Sequence, residues 1–197
     1  MVGQEGCSLI TKQLMEAIRK EYRLPWNGIH GIGHWARVRE NGFCIATSLT
    51  GVNIKVVELF AVFHDACRKN EGIDVGHGYR GGELAKRLRG LFFQTTDEEF
   101  ELLYMACWHH TDGHTEGEIT VQTCWDADRL DLGRVGKMPD PRYLCTASAK
   151  DTRLIVWADE RARRAAVPQF ALEEWFADST DDTENRNRSR TGLEMVE

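Results

Sequence analysis

The sequence lacks several features that would assign it at once to a common class of protein. Its 25 lysine and arginine residues form no basic block, and the net charge is −6. This charge gives no indication of a long nucleic acid or an anionic membrane as partner. Apolar runs stay far below the roughly 20 residues that cross a bilayer. Residues 1–5 also lack the basic and apolar regions of a signal peptide.

Cysteine motifs are missing as well, although six cysteines are present. These residues are widely spaced, and no Cys-x-x-Cys occurs. The spacing argues against a zinc ribbon and against a dithiol redox site. Without a secretory signal, we expect reduced thiols rather than disulfides, and we predict a cytoplasmic location.

The remaining composition is that of a globular domain with a helical pattern. The 197 residues are 42% hydrophobic and 28% charged, which suffices for one core. Apolar residues recur at helical spacing between glycine and proline breaks, and no alternating strand pattern is found. The sequence predicts an all-α fold with one domain over 1–177 and a disordered polar tail over 178–197. The predicted helices cover about 8–22, 34–49, 54–66, 80–89, 97–110, 119–132, 147–166 and 169–177.

The chain is organised around His64 and Asp65, which end an apolar run over residues 56–63. Burying a carboxylate without a partner costs several kcal/mol, so this pair is a poor choice for a plain core. His64 extends the apolar stripe of the third predicted helix at spacings of three and four residues. The pair therefore indicates a buried polar site.

Three other predicted helices each place a histidine or aspartate in the apolar stripe, at His34, His110 and Asp128. His109 lies on the neighbouring flank of its helix, and Asp126 points away from the stripe of Asp128. One histidine on an apolar face is more often a satisfied core residue. Four such coincidences, all with imidazole or carboxylate, indicate a metal site. These ligands suit Mn, Fe, Zn, Ni or Co, and carboxylates also admit Mg.

The order of these residues resembles the HD-domain superfamily of metal-dependent phosphohydrolases. His34-Trp35-Ala36-Arg37-Val38 is similar to its His-x-x-Arg-Val helix, and Phe63-His64-Asp65 is similar to the motif that names it. Ala127-Asp128-Arg129-Leu130 is similar to its last aspartate motif. The resemblance covers roughly residues 29–135. It implies an HD-domain-like helical bundle with a metal site between helices and action on phosphoesters, often of nucleotides.

A second resemblance is to dinuclear branches such as the HD-GYP phosphodiesterases. The segment from His77 to Leu84 is similar to one of their additional histidine motifs, and the segment from His109 to Gly113 to another. The sequence has no Gly-Tyr-Pro here, its interval from His64 to His77 is short, and Arg68 replaces a lysine. These departures argue against a cyclic dinucleotide as substrate, while the second metal position stays in the prediction.

The resemblance implies a role for each candidate residue, with one or two divalent ions per chain. One ion would be held by His34, His64, Asp65 and Asp128. Asp65 would bridge to a second ion held by His77 and by one or both of His109 and His110. Asp65 and Arg68 are the catalytic candidates, and Arg68 would hold the phosphate. Weaker substrate-binding candidates are Arg37, Arg80 and Arg129.

Each of these weaker candidates could instead have a purely structural role. Arg37 and Arg129 could form ion pairs with site carboxylates or with Asp126, and Arg80 could be a solvated surface charge. His30 stays outside the predicted site because glycines separate it from His34.

Three functions remain open at this point. The first is a metal-dependent phosphohydrolase of a small phosphoester, for instance a nucleotide, since an acidic chain suits a small substrate better than a long nucleic acid. The second is an HD-like di-iron oxygenase, which shares the same ligand order. The third is a metal-stabilised binding or regulatory module without turnover. The oligomeric state is open.

Overall fold

The computed structural model describes residues 8–175, and the regular structure of that range is helical. Outside the helices, these residues form only one isolated β-bridge, between Arg89 and Phe93. The predicted all-α class is therefore confirmed. The helices are α1 (Lys12–Glu21), α2 (Ile32–Ala46), α3 (Ile54–Phe63), α4 (His77–Leu88), α5 (Asp97–His109), α6 (Ile119–Arg129), α7 (Thr152–Arg163) and α8 (Gln169–Glu174). Two short 3-10 turns, Leu132–Val135 and Pro141–Tyr143, follow α6.

Part of the predicted C-terminal structure falls beyond residue 175, the last residue that the structure describes. The predicted tail, 178–197, lies outside the described residues, as do the last two residues of the predicted helix 169–177. No helix within 8–175 is long and apolar enough to cross a membrane. The five cysteines in this range form no disulfide.

Threonine residues cap two of the helices, and α1 begins at Lys12 rather than at the predicted residue 8. Thr11 rather than Ser8 caps α1, since its Oγ1 accepts a hydrogen bond from the backbone of Leu14 at 3.2 Å. Thr96 caps α5 in a reciprocal capping box with Glu99. A capping box satisfies two of the N–H groups that a helix start leaves without partners.

Helix α3 is the centre of the fold. Every residue from Val56 to Phe63 is buried, and α2, α4, α5 and α6 pack around it. A helix that is buried on all sides is typical of a core element. Because α3 ends at Phe63, the turn that follows it delivers His64 and Asp65 into the middle of the bundle.

Helix α2 lies unusually close to α3, and a glycine permits this approach. A Cβ at Gly42 would lie 2.4 Å from Cγ1 of Val57 and 3.4 Å from Cβ of Ala127. A glycine inside a helix ordinarily weakens that helix. The structure shows that the missing side chain lets α2 contact α3 and α6 at once.

Helix α4 is brought against its neighbours in the same way. A Cβ at Gly78 would lie 2.1 Å from the carbonyl oxygen of Cys107 in α5, and one at Gly81 would lie 2.2 Å from that of Phe63. The helix begins at His77, three residues before the predicted start at Arg80. His77 therefore occupies the first turn of α4, beside α5.

Candidate metal centre

The first group of polar side chains lies between α2, α6 and the turn after α3. Nε2 of His34 lies 3.0 Å from Nε2 of His64, 3.7 Å from Oδ2 of Asp65 and 3.4 Å from Oδ1 of Asp128. Nε2 of His64 lies 3.8 Å from each of the same two carboxylate oxygens. The structure thus brings together four residues that the sequence predicted as ligands of one ion.

The second group shares Asp65 with the first but uses its other oxygen. Oδ1 of Asp65 lies 3.0 Å from Nε2 of His77 and 3.6 Å from Nε2 of His110. The two imidazoles face each other, with 2.9 Å between their Nε2 atoms. Asp65 therefore connects the two groups, with one carboxylate oxygen directed at each.

The other ring nitrogen of each of these histidines already has a partner. Nδ1 of His34 donates to Oδ2 of Asp131 at 2.7 Å. The remaining three imidazoles donate from Nδ1 to backbone carbonyls: His64 to Phe60 and Ala61 at 3.1 Å, His77 to Asp74 at 2.6 Å, and His110 to Cys107 at 2.7 Å. In this tautomer the proton is on Nδ1, so Nε2 carries a free lone pair that can bind a metal ion.

Facing lone pairs explain why these groups suit a cation. The two unprotonated Nε2 atoms of His34 and His64, 3.0 Å apart, repel each other unless a positive charge lies near both. In each group, three ligand atoms lie within 4.8 Å of one another. Oδ1 of Asp128 is also buried without a hydrogen-bond partner among the described residues. Such an oxygen is costly to bury unless something compensates it. The donor set therefore fits a divalent metal ion at each group.

The protonation states of the first group agree with this interpretation. Burial lowers the pKa of His64 to about 4, despite the opposing effect of Asp65. Burial also lowers the pKa of His34 well below its ordinary value, and Arg134 adds to the effect. Burial would raise the pKa of Asp128, but Arg134 and the imidazoles outweigh it and lower the value to about 2. Neutral imidazole and ionised carboxylate are the forms that coordinate metal.

His110 in the second group behaves differently. Burial alone would lower the pKa of His110, but its hydrogen bond to Asp65 outweighs burial and raises that pKa. A proton on Nε2 of His110 therefore competes with any cation in the second group.

Asp131 supports the first group from behind, and the sequence did not predict this role. Its Oδ1 accepts from Nε of Arg37 at 2.7 Å, while its Oδ2 accepts from Nδ1 of His34. Arg37 is buried and also donates to the carbonyl of Ala166. Arg37, expected as a substrate-binding candidate, is therefore committed to a carboxylate that orients His34. The only sequence signal for Asp131 was its position three residues after Asp128.

His30 also belongs to the site, although the prediction excluded it. Its Nδ1 lies 2.8 Å from Oδ2 of Asp65, and its Nε2 lies 3.7 Å from Oε2 of Glu71. The glycines that argued against it form a tight turn before α2. A Cβ at Gly31 would lie only 2.0 Å from the carbonyl oxygen of Trp26. This turn folds His30 back over Asp65.

His109 is not brought into the centre, so of the adjacent pair only His110 faces it. The side chain of His109 is 25% exposed, and its Nδ1 lies 2.7 Å from Oδ2 of Asp112. Its ring stacks on Trp108 with 5.0 Å between centroids. The prediction of His109 as a ligand of the central site is therefore corrected. The two residues point in different directions because they are neighbours at the end of a helix.

Arg80 and Arg129, expected as substrate-binding candidates, hold loops instead. Arg80 contacts both carboxylate oxygens of Asp74 at 2.6 and 2.7 Å and donates to the carbonyl of Cys67. Arg129 donates to the carbonyl of Tyr143 at 2.7 Å. Both contacts fasten chain segments outside the helices.

Two other arginines lie directly against the centre, one at each group. NH1 of Arg68 lies 3.3 Å from Oδ1 of Asp65 and 3.0 Å from Nε2 of His77. NH2 of Arg134 lies 3.5 Å from Oδ1 of Asp128. Nε of each of these two arginines is buried without a hydrogen-bond partner among the described residues. Arg68 was a predicted site residue. Arg134 was missed because it follows α6 in a turn with no periodic pattern.

Two clefts reach the centre from the surface. A cleft of about 720 Å³ is lined by Arg68, His77, Trp108, Asp112 and Lys137, among others. A second cleft, of about 320 Å³, is lined by residues that include His34 and Arg134. Sites for small ligands typically measure about 300–1,000 Å³. The larger cleft therefore ends at His77 of the second group, and the smaller one ends at His34 of the first.

Comparison of the chain with protein-family models, with curated proteins and with solved structures found no match.

Proposed function

We propose that the protein is a metal-dependent phosphohydrolase with an HD-domain-type centre, which cleaves a small phosphoester with water. One observation carries the proposal. The carboxylate of Asp65 joins two histidine pairs through separate oxygens, and a buried guanidinium stands beside each pair. This arrangement combines ligands for two cations with donors for an anion.

The residues that would hold the ions follow from the two groups. The first ion would be held by His34, His64, Asp65 and Asp128, and the second by Asp65, His77 and His110. A pair of divalent ions would supply Lewis-acid polarisation of the phosphate and a bound water of lowered pKa. Elemental analysis of the purified protein identifies the metal.

Arg68 and Arg134 would bind the phosphate oxygens. A guanidinium matches two oxygens of a phosphate through parallel hydrogen bonds, and these charge-assisted bonds are among the stronger ones in proteins. The unpartnered Nε atoms of both arginines leave donors available for such bonds. Because the two arginines stand at different groups, they would hold the phosphate between them, and they would add positive charge where negative charge develops.

His30 and Asp131 would position groups that touch the ions. His30 orients the carboxylate plane of Asp65 through its 2.8 Å contact, and Asp131 orients the ring of His34. Partners of this kind are worth roughly 10–100-fold in metal affinity or activity.

The larger cleft suits a small substrate that carries a further group. Its wall includes Lys137, which offers a second positive charge, and Trp108, which is 45% exposed. A nucleotide would fit this combination, because its phosphate and base could contact the cation and the ring. The net charge of −6 disfavours a long nucleic acid in the same cleft.

The test begins with elemental analysis of the purified full chain, followed by a screen of phosphomonoesters, phosphodiesters and nucleotides with Mn, Fe, Co, Ni, Zn and Mg. We expect phosphate release that Asp65→Asn abolishes together with metal binding. Arg68→Lys should keep the metal content and lower kcat/KM by about 10- to 100-fold, since bonds to charged groups contribute roughly 1.5–3 kcal/mol. Arg142→Lys is the matched control, because Arg142 lies on the surface and pairs with Asp140.

The same experiment separates the alternatives. Iron as the dominant metal, with oxygen consumption and no phosphate release, would favour the di-iron oxygenase. Tight nucleotide binding without turnover at any metal would favour the regulatory module. Failure to bind metal under every loading condition would contradict the metal centre itself.

A further inference from the structure

A third set of metal-binding side chains lies on the surface, apart from the buried centre. It consists of His109, the last residue of α5, with Asp112 and His114 in the turn before α6. Oδ2 of Asp112 lies 2.7 Å from Nδ1 of His109 and 3.9 Å from Nε2 of His114. One carboxylate oxygen therefore faces two imidazoles from two directions.

The local sequence explains why these three residues converge. Gly113 adopts a φ of +78°, which is accessible to glycine at little cost, and this turn reverses the chain directly after Asp112. His114 then returns toward the end of α5, and its ring centroid lies 5.8 Å from that of His109. Without the turn, His114 would continue away from the helix.

An ion pair accounts for only part of this arrangement. His109 and Asp112 are three residues apart and could form a simple surface pair, which contributes little to stability. His114 is not needed for that pair, yet its Nε2 faces the same carboxylate oxygen. Nitrogen and oxygen atoms from the three residues lie within 4.8 Å of one another. Their side chains are 25%, 45% and 57% exposed, so ions can enter from solvent.

The surroundings add negative charge. A cleft of about 580 Å³ beside the imidazoles of His109 and His114 is lined by four glutamates: Glu98, Glu101, Glu116 and Glu118. The rest of the lining is largely apolar, from Leu102, Met105, Val121 and Trp125, so the glutamates supply the only formal charge of the cleft, and negative charge raises the local concentration of cations. This side of α5 therefore attracts cations.

We propose that His109, Asp112 and His114 form a peripheral site for a transition-metal ion, separate from the buried centre. Two imidazoles and one carboxylate on one side of an ion leave its other positions open, and imidazole suits Zn²⁺, Cu²⁺ and Ni²⁺. Asp112 and Trp108 also line the larger cleft to the centre. An ion at the peripheral site would therefore stand at the mouth of that cleft.

Two tryptophans make the site measurable in the full-length protein. Trp108 stacks on His109 at 5.0 Å, and the ring of Trp125 lies 5.9 Å from that of His114. Ni²⁺ has a partly filled d shell and quenches tryptophan fluorescence at short range. We expect a titration of metal-free protein with Ni²⁺ to show a quenching event, while calorimetry counts the bound ions.

The variants decide which ligands produce this event. Asp112→Asn and His114→Ala should each remove the event or weaken it by about tenfold or more, because each removes one of three ligands. Glu116→Gln is the matched control, since it removes a carboxylate from the same rim without touching the three ligands, and it should leave the event in place. Asp128→Asn should also leave it in place, because that residue belongs to the buried centre.

Two results would overturn the proposal. One is that Asp112→Asn and His114→Ala both show the same quenching and the same number of bound ions as the wild type. The other is a quenching event lost in Asp128→Asn but retained in His114→Ala, which would assign that event to the buried centre. Circular dichroism and thermal unfolding of each variant verify that the fold is retained, which is expected for Asp112→Asn and His114→Ala because these side chains are 45% and 57% exposed.

Discussion

Gly78 lies where α4 crosses α5, and replacing it with alanine should remove the proposed second metal position while sparing the proposed first one. The added Cβ would lie 2.1 Å from the carbonyl oxygen of Cys107 and 2.8 Å from Nδ1 of His110. Non-bonded carbon and oxygen atoms do not approach closer than ~3 Å, so the two backbones must separate by about 1 Å. The obstacle is backbone, which cannot rotate away.

Separating α4 from α5 would also separate His77 from His110. His77 is carried by α4 and His110 by the end of α5, and their Nε2 atoms lie 2.9 Å apart. Metal–ligand distances tolerate only about ±0.2 Å, so a shift of about 1 Å exceeds what a bound ion accepts. The first group uses α2, α6 and the turn after α3, and does not include the interface of α4 with α5. Gly78→Ala should therefore bind one ion in place of two, and lose about 1–3 kcal/mol of stability through overpacking.

Elemental analysis after metal loading, with thermal unfolding in parallel, would measure both effects. Gly82→Ala is the matched control in the same helix, because its Cβ would meet only the ring of Tyr104 at 3.1 Å, and this side chain can move. Two ions retained in Gly78→Ala, or an equal loss of the second ion in Gly82→Ala, would refute the dependence of the second position on the contact between α4 and α5.

Three further predictions concern other parts of the molecule. Asp131→Asn should lower metal affinity by roughly 10–100-fold without altering the ligand set, since it weakens the support of His34; competition with a chelator measures this, and an unchanged affinity would contradict the positioning role. Arg80→Met should speed tryptic cleavage at Lys69, because the contact of Arg80 to Asp74 no longer holds the loop between α3 and α4. Equal cleavage rates in the variant and the wild type would refute the role of Arg80 in holding this loop. The hydrogen bond from the backbone N–H of Thr96 lowers the pKa of Glu99 below 4.5, so its contribution to stability is present above that value and is lost as the pH falls through the folded pKa. The difference in Tm between the wild type and Glu99→Gln should thus narrow as the pH is lowered from about 6 to about 3, and a constant difference would argue against a charged cap.

The sequence predicted those parts of the centre that depend on local periodicity and motif order. His64 and Asp128 extend apolar stripes, and a stripe specifies a buried face before any tertiary contact is known. The fold class followed from the same periodicity. Gly42 shows what periodicity within one helix does not contain, because its lack of a side chain permits the close contact with α3 and α6.

Residues that act through long-range contacts were not predictable in this way. Asp131 meets His34 across 97 positions of the chain, and His30 meets Asp65 across 35. Periodicity within one helix carries no information about such pairs. The roles of arginines are equally hard to predict, because a long guanidinium side chain can reach a carboxylate or any nearby carbonyl, as Arg80 does.

The shared carboxylate of Asp65 has a thermodynamic consequence for loading. His30 already orients this carboxylate through its 2.8 Å contact, and an ion at one oxygen would restrict it further, which would lower the cost of binding at the other oxygen. The two affinities are then linked, and the coupling free energy is the same whichever ion binds first. Mutual repulsion between the two positive charges acts in the opposite direction. In a metal titration, the fraction of protein that carries one ion therefore measures which effect is larger. A small fraction means that the restriction of Asp65 dominates, and a large fraction means that charge repulsion dominates.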